Sequence, residues 1–567
     1  MFSRRARPST ALASLAFFVA ASAGCGAPGG AARASEIDRR FDVLSAELSA
    51  ELDRRDPSHA RHLGRHAFDG KLQSFAPAAI ASDRAFTEAA LTSLSRIDAR
   101  ALSADRALDH AILVHELRLR AFGFDELDAP HKRPSFYEDL FDVSSYVERP
   151  YDKPEVRMAR LVEHEERALA ETHFVRENLV LPLPKTFATV GGKNLLGFAD
   201  YLRKDVVGAF VGVGDAPLRA RFEKANAALA TEAERLGRWL RDEVAPAGDD
   251  SFALGATRFA KLLEVQEGWT GSLDALSTMA EENLAANRRA YEALAATVHD
   301  ERPPIDHLIA EASTLSREAE GFVRSHHLLS VPAEVSLTVR ESPPFERWNS
   351  AFLDMSGPFD PYQSAFYYIS PPDPTWSKAE QEGYVPTRGV LLSTTVHEVW
   401  PGHFLQGLFQ RRAPTDVQKS SWSYSFGEGW AHYAEQMMLD EGFFADDPRA
   451  RLGQLADALL RNCRFVGAIA LHARGASVAS VAERFEKDCH QDVATAREQA
   501  ERGTFDPGYF AYTFGKLQIL ALRETAQRRL GPRFSLQRFH DALLAHGAPP
   551  VELIRERVLA DLERATR

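Results

Sequence analysis

The chain has 567 residues, 45% of them hydrophobic and 26% charged. That length sustains a large core and more than one lobe, and the composition excludes a disordered chain or a bundle of membrane spans. The formal net charge of −12, with no Lys/Arg cluster beyond the first residues, excludes a phosphate-binding surface, so no nucleic-acid partner is expected.

In chain order, Arg4, Arg5 and Arg7 precede a short apolar run at 11–21, and Ser22-Ala-Gly-Cys25 follows. A basic start, an apolar middle and small residues at the cut make a secretory signal, and the run is too short to span a bilayer. Small residues before a cysteine resemble the lipobox of bacterial lipoproteins, although Ser22 stands where that pattern usually has Leu. We therefore expect a signal peptide at 1–24 and a flexible linker at 25–36, with export to the cell envelope. Membrane attachment through a lipidated Cys25 and simple secretion both stay open. Cys463 and Cys489 are the other two cysteines; their spacing allows one bridge or two buried thiols.

From 37 to 330 the pattern is helical. Segments 36–52, 107–120, 156–179 and 217–244 place apolar residues three and four apart. Breaks at 130–154, 181–192 and 245–250 carry Pro and Gly. Between 332 and 384 the runs 335–339 and 365–369 have strand character. Helical patterning resumes near Thr387 and continues to the end. The expected fold is mainly α: a large helical, clefted protein with a small sheet, divided into an N-terminal helical region (37–330) and a site-bearing region (331–567).

The unusual segment is Thr394-Thr-Val-His-Glu-Val-Trp-Pro-Gly-His-Phe-Leu-Gln406. A His-Glu pair followed by a second His suggests a zinc hydrolase, in which the imidazoles hold the metal and the Glu takes a proton from water. In the usual H-E-x-x-H form the two histidines share one helical face. Here His397 and His403 are six apart, which on a regular helix leaves them roughly 120° out of register. Pro401-Gly402 offers a remedy, because a break there swings His403 back towards His397. The plainer alternative is a helix stop between two unrelated histidines.

A second segment, Ser425-Phe-Gly-Glu-Gly-Trp-Ala-His-Tyr-Ala-Glu435, supplies Glu428, His432 and Glu435 on one helical face. Glu428 is the expected third ligand, with Glu435 or His432 orienting a ligand from behind. A solvated face is the ordinary alternative. In Asp506-Pro-Gly-Tyr-Phe-Ala-Tyr-Thr-Phe-Gly-Lys516, Tyr512 is the candidate for stabilising an oxyanion and Tyr509 the substitute; aromatic core packing competes for both.

These motifs together, H-E-x-x-P-G-H-x-x-Q at 397–406, G-E-G-W-A-H-Y-A-E at 427–435 and P-G-Y-F-A-Y-T-x-G-K-L at 507–517, resemble the bacterial family named domain of unknown function 885. The stretches Arg61-His-Leu-Gly-Arg-His-Ala-Phe-Asp69 and Phe539-His-Asp-Ala-Leu-Leu extend the likeness over most of the chain. The family in turn resembles the gluzincin peptidases, which hold zinc with two His and one Glu. The resemblance implies one Zn(2+) per chain on His397, His403 and Glu428, Glu398 as general base, and a peptide substrate. A binding module with a structural metal (His432 closing the site), a vestigial enzyme, and a hydrolase of non-peptide amides are the competing classes. The oligomeric state is left open.

Overall fold

The computed structural model describes residues 30–332, 337–342, 350–361 and 364–565. The signal segment and Cys25 lie outside them. The fold is mainly α, with one three-stranded sheet. Among the described residues no helix is long and apolar enough to cross a membrane.

The predicted helices correspond to Gly30–Arg55, Ala104–Asp125, Pro154–Glu171 with Phe174–Asn178, and Ala216–Trp239 followed by a π-helical turn, Leu240–Val244. The break expected at 181–192 is shorter than its glycines suggested: helix Lys185–Tyr201 already contains Gly191 and Gly192. Both glycines are buried against neighbouring elements, so they serve packing rather than a turn.

Three apolar cores result. One draws only on residues from Phe75 to Ala245. The other two take side chains from both sides of position 330, so the site-bearing elements rest on N-terminal helices. The cysteines are bridged, Cys463 to Cys489, joining helix Pro448–Ala473 to helix Val478–Cys489.

The sheet has strands β1 (Leu337–Glu341), β2 (Ala351–Met355) and β3 (Ala365–Ile369), in the order β1-β3-β2. The expected run 365–369 coincides with β3, while β1 begins two residues into the expected run 335–339, whose residues 335 and 336 lie outside the described ones. β3 runs parallel to β1 and antiparallel to β2, with Leu353 opposite Tyr367. Alternation along β3 buries Ala365, Tyr367 and Ile369, and the Tyr367 hydroxyl lies 3.2 Å from Thr395 Oγ1. The sheet is thus seated on helix Arg388–Glu398, with β2 as its outer strand among the described residues.

Candidate metal centre

Helix Arg388–Glu398 ends at the His-Glu pair, and a new helix, His403–Gln410, begins at the second histidine. Between them the Trp400–Pro401 peptide is cis. The Gly402 N–H donates to the Val396 carbonyl at 3.1 Å, folding the turn back on the helix it leaves. A Cβ at 402 would stand 1.7 Å from the His397 carbonyl oxygen, so only glycine fits. The indole of Trp430 fixes the turn by donating to the Pro401 carbonyl at 2.9 Å. The helix is broken, and the 120° mismatch of a continuous one does not arise.

Helix Tyr424–Asp440 then brings Glu428 to the pair. Glu428 Oε2 lies 3.2 Å from His397 Nε2 and 3.5 Å from His403 Nε2, and the ligand-type atoms of the three residues lie within 4.8 Å of one another. The oxygen is buried and, among the described residues, faces the two imidazoles and no other hydrogen-bonding group. Three donors converging on one point, one of them a buried carboxylate oxygen, fit a divalent cation of the zinc type. Burial and Arg461 oppose protonation of His397, yet Glu428 and Glu435 hold it near 9. Burial would raise Glu428, but the two histidines keep it well below the carboxylate range.

Behind His397 the support is dense. Its Nδ1–H donates to Glu435 Oε1 at 2.7 Å, which turns Nε2 towards Glu428. Glu435 also accepts from His432 Nδ1 at 2.9 Å and faces Arg461 Nη2 at 3.0 Å. Against the effect of its burial, Arg461 and His432 keep Glu435 strongly acidic. Burial, with Lys516 adding to it, depresses His432 to about 3. The trio read as a helical face is therefore turned inward, with His432 and Glu435 fully buried. His432 stands behind Glu435 and does not belong to the ligand-type cluster.

Glu398 points the other way. Its Oε2 accepts the Leu353 N–H of edge strand β2 at 3.0 Å. Burial raises its pKa, and the charges of His397 and His403 limit the rise. Glu398, His403 and Glu428 share a cavity of about 290 Å³ with Leu353, Gln406 and Arg411. Trp422, 51% exposed, stands in its wall.

The tyrosines part company. The Tyr512 ring lies 6.5 Å from the His397 ring and 5.6 Å from Tyr424, with the Arg464 guanidinium 4.8 Å above it. Tyr509 is fully buried in an apolar core, its hydroxyl against Gly467 and Gly503. It precedes the helix Ala511–Leu530 and so does not share the face of Tyr512; as an oxyanion group it is withdrawn. Close helix crossings set these positions. Gly429 packs on Gly515 and Gly389 on Gly453, each where a Cβ would come closer than 3.0 Å to backbone.

The sequence reading missed Arg461, because Asp457 and Arg461 have the i, i+4 spacing of an ordinary surface pair. It also missed the Leu353 N–H, which no side-chain pattern announces.

A mainly helical fold with a His-His-Glu cluster beside a sheet edge defines a class of candidate metalloproteins. The chain belongs to the family described as bacterial protein of unknown function (DUF885), whose pattern matches residues 57–558. Among solved structures it is similar to a proposed lipoprotein of unknown function from Shewanella oneidensis (TM-score 0.75, 21% identity, 92% of this chain and 99% of that one). It is also similar to a proposed lipoprotein from Colwellia psychrerythraea (TM-score 0.72, 15% identity, 93% and 99%). Metallocarboxypeptidase 1 of Trypanosoma cruzi aligns at a TM-score of only 0.34 with 12% identity, over 94% and 99%, too weakly to transfer chemistry. No curated protein matches the chain.

Proposed function

We propose that the protein is a zinc-dependent peptidase with His397, His403 and Glu428 as ligands and Glu398 as general base. The observation that carries this reading is the convergence of three ligand-type atoms beside an open cavity, with Glu398 on the cavity side. Three protein ligands with an open position mark hydrolytic zinc sites, whereas structural sites are closed by four. His432, the residue that could have closed it, has its Nδ1 on Glu435.

Zinc at this point would polarise the scissile carbonyl and acidify water. Glu398, raised by burial, accepts the water proton and returns it to the leaving amine. Glu435 fixes the ring of His397. The Tyr512 hydroxyl donates to the oxyanion of the tetrahedral intermediate. The outer edge of β2 pairs with an extended peptide lying in the cavity.

We further propose export and lipid attachment at Cys25. The signal pattern supports it, as do the Cys463–Cys489 bridge, which suits an oxidising compartment, and the description of two similar structures as proposed lipoproteins.

The test compares the mature protein with Glu398→Gln on a mixed peptide library, with bound zinc measured in both. Loss of cleavage by about 10²–10⁴-fold with zinc retained is expected. Equal cleavage by the two proteins refutes the assignment of Glu398.

A further inference from the structure

The cavity beside the metal cluster carries a feature that the proposed chemistry does not use. Arg411 follows helix His403–Gln410, so its Cα stands about 12 Å along the helix axis from that of His403. It is half-buried in the cavity wall. Its guanidinium donates to two backbone carbonyls, Ser356 at 3.2 Å and Asp360 at 2.7 Å. Among the described residues no carboxylate forms an ion pair with it.

The neighbouring acids have other partners. The Asp360 carboxylate lies 3.6 Å from His66 Nε2, and Asp69 is 3.2 Å from His66 Nδ1. Burial opposes the charge on His66, but these two acids hold it near 9. Asp354 faces Arg149 at 3.5 Å; burial and, less strongly, Arg149 disfavour the charge on Arg411, and the Asp360 carboxylate offsets them only in part. The loop carrying the two carbonyls is itself held, since Phe359 N–H donates to Leu63 O at 2.9 Å and Arg65 covers the Phe359 ring at 4.2 Å. The Arg61-to-Asp69 motif thus clamps the platform on which Arg411 rests.

A second group points to the same ligand. Gln406 is 3% exposed and borders the cavity. Its Oε1 is 3.5 Å from His403 Nδ1, while its Nε2 is buried without a hydrogen-bonded partner. An unsatisfied amide donor and a guanidinium with no ion-paired carboxylate among the described residues, in one cavity, call for an acceptor that carries negative charge.

We infer that Arg411 and Gln406 form an anion subsite that receives the free C-terminal carboxylate of the peptide, making the enzyme a carboxypeptidase-type exopeptidase. This rests on the peptidase reading and narrows its substrate class. The cavity, of about 290 Å³, has room for the C-terminal residues of a peptide.

The test sets peptides with a free C-terminus against the same peptides as C-terminal amides. Wild type is expected to favour the free acids by about 10- to 100-fold in kcat/KM. The ratio should collapse towards one in Arg411→Gln and be partly kept in Arg411→Lys, which retains charge but not the planar fork. Equal handling of acid and amide by wild type overturns the inference, as does an undiminished ratio in Arg411→Gln. Calorimetric binding of Ala-Phe and of its amide to the zinc-supplied Glu398→Gln protein gives a readout without turnover. Tighter binding of the acid, lost in the double variant Glu398→Gln/Arg411→Gln, supports the subsite even if wild type cleaves no peptide, in which case the peptidase reading alone falls. Cleavage with equal binding of acid and amide removes the subsite and leaves the peptidase.

Discussion

Gly402→Ala tests the turn on which the candidate site depends. The added Cβ would lie 1.7 Å from the His397 carbonyl oxygen, against a practical floor of 3.0 Å. The end of helix Arg388–Glu398 and the start of helix His403–Gln410 must therefore separate by about 1.3 Å. The obstacle is backbone, so no side chain can swing aside to absorb it. Metal–ligand distances tolerate only about 0.2 Å, several times less than that displacement. Zinc affinity, measured by competition with a chromogenic chelator, should fall at least about 100-fold, since disturbing the outer support alone costs 10- to 100-fold. Stability should fall by about 1–3 kcal/mol. Gly321→Ala is the control: it lies within helix Leu308–Ser325, and a Cβ there meets nothing within 4 Å. That variant should keep zinc and gain up to about 1 kcal/mol. Wild-type zinc affinity in Gly402→Ala would refute the claim that this turn sets the histidine pair.

Tyr512→Phe should lower kcat by about 10- to 100-fold with zinc retained, while Tyr509→Phe, whose hydroxyl has no partner, should leave activity unchanged; steady-state kinetics on one cleaved peptide decides between them. Glu435→Gln removes the charge that faces His397 and Arg461 and should weaken zinc binding by about 10- to 100-fold, read by the same chelator competition. His540 is buried with both ring nitrogens bonded, to the Leu328 carbonyl and the Tyr433 hydroxyl, and burial depresses it to about 3. Its contribution is whole above the unfolded value of about 6.5 and is lost as pH falls towards 3. The stability advantage of wild type over His540→Gln should shrink by about 2 kcal/mol between pH 7 and pH 5, measured by denaturant unfolding; a constant difference would refute it.

What the sequence made legible follows from what each element answers to. Helices with a strong apolar period were visible, as was β3, whose alternation reflects one buried face. β2 escaped notice because all five of its residues are half-buried, so no alternation marks it. His397, Glu398, His403 and Glu428 announce themselves through residue type and spacing. Arg461 and Arg411 do not, because their contacts come from an element 64 residues away in one case and from a loop at 356–360 in the other. Tyr509 and Tyr512 are equivalent by letter and are separated only by where the helix begins.

The position of β2 at the edge of the described sheet has a consequence for association. An exposed edge invites any extended chain to add to it, including another copy of the same protein. Here the Glu398 carboxylate occupies the Leu353 N–H, and Gly407 of helix His403–Gln410 presses on Met355 at the strand's end. The charged group assigned to proton transfer is therefore also a guard on the strand. With that N–H taken, an added strand has one ladder bond fewer to gain at Leu353.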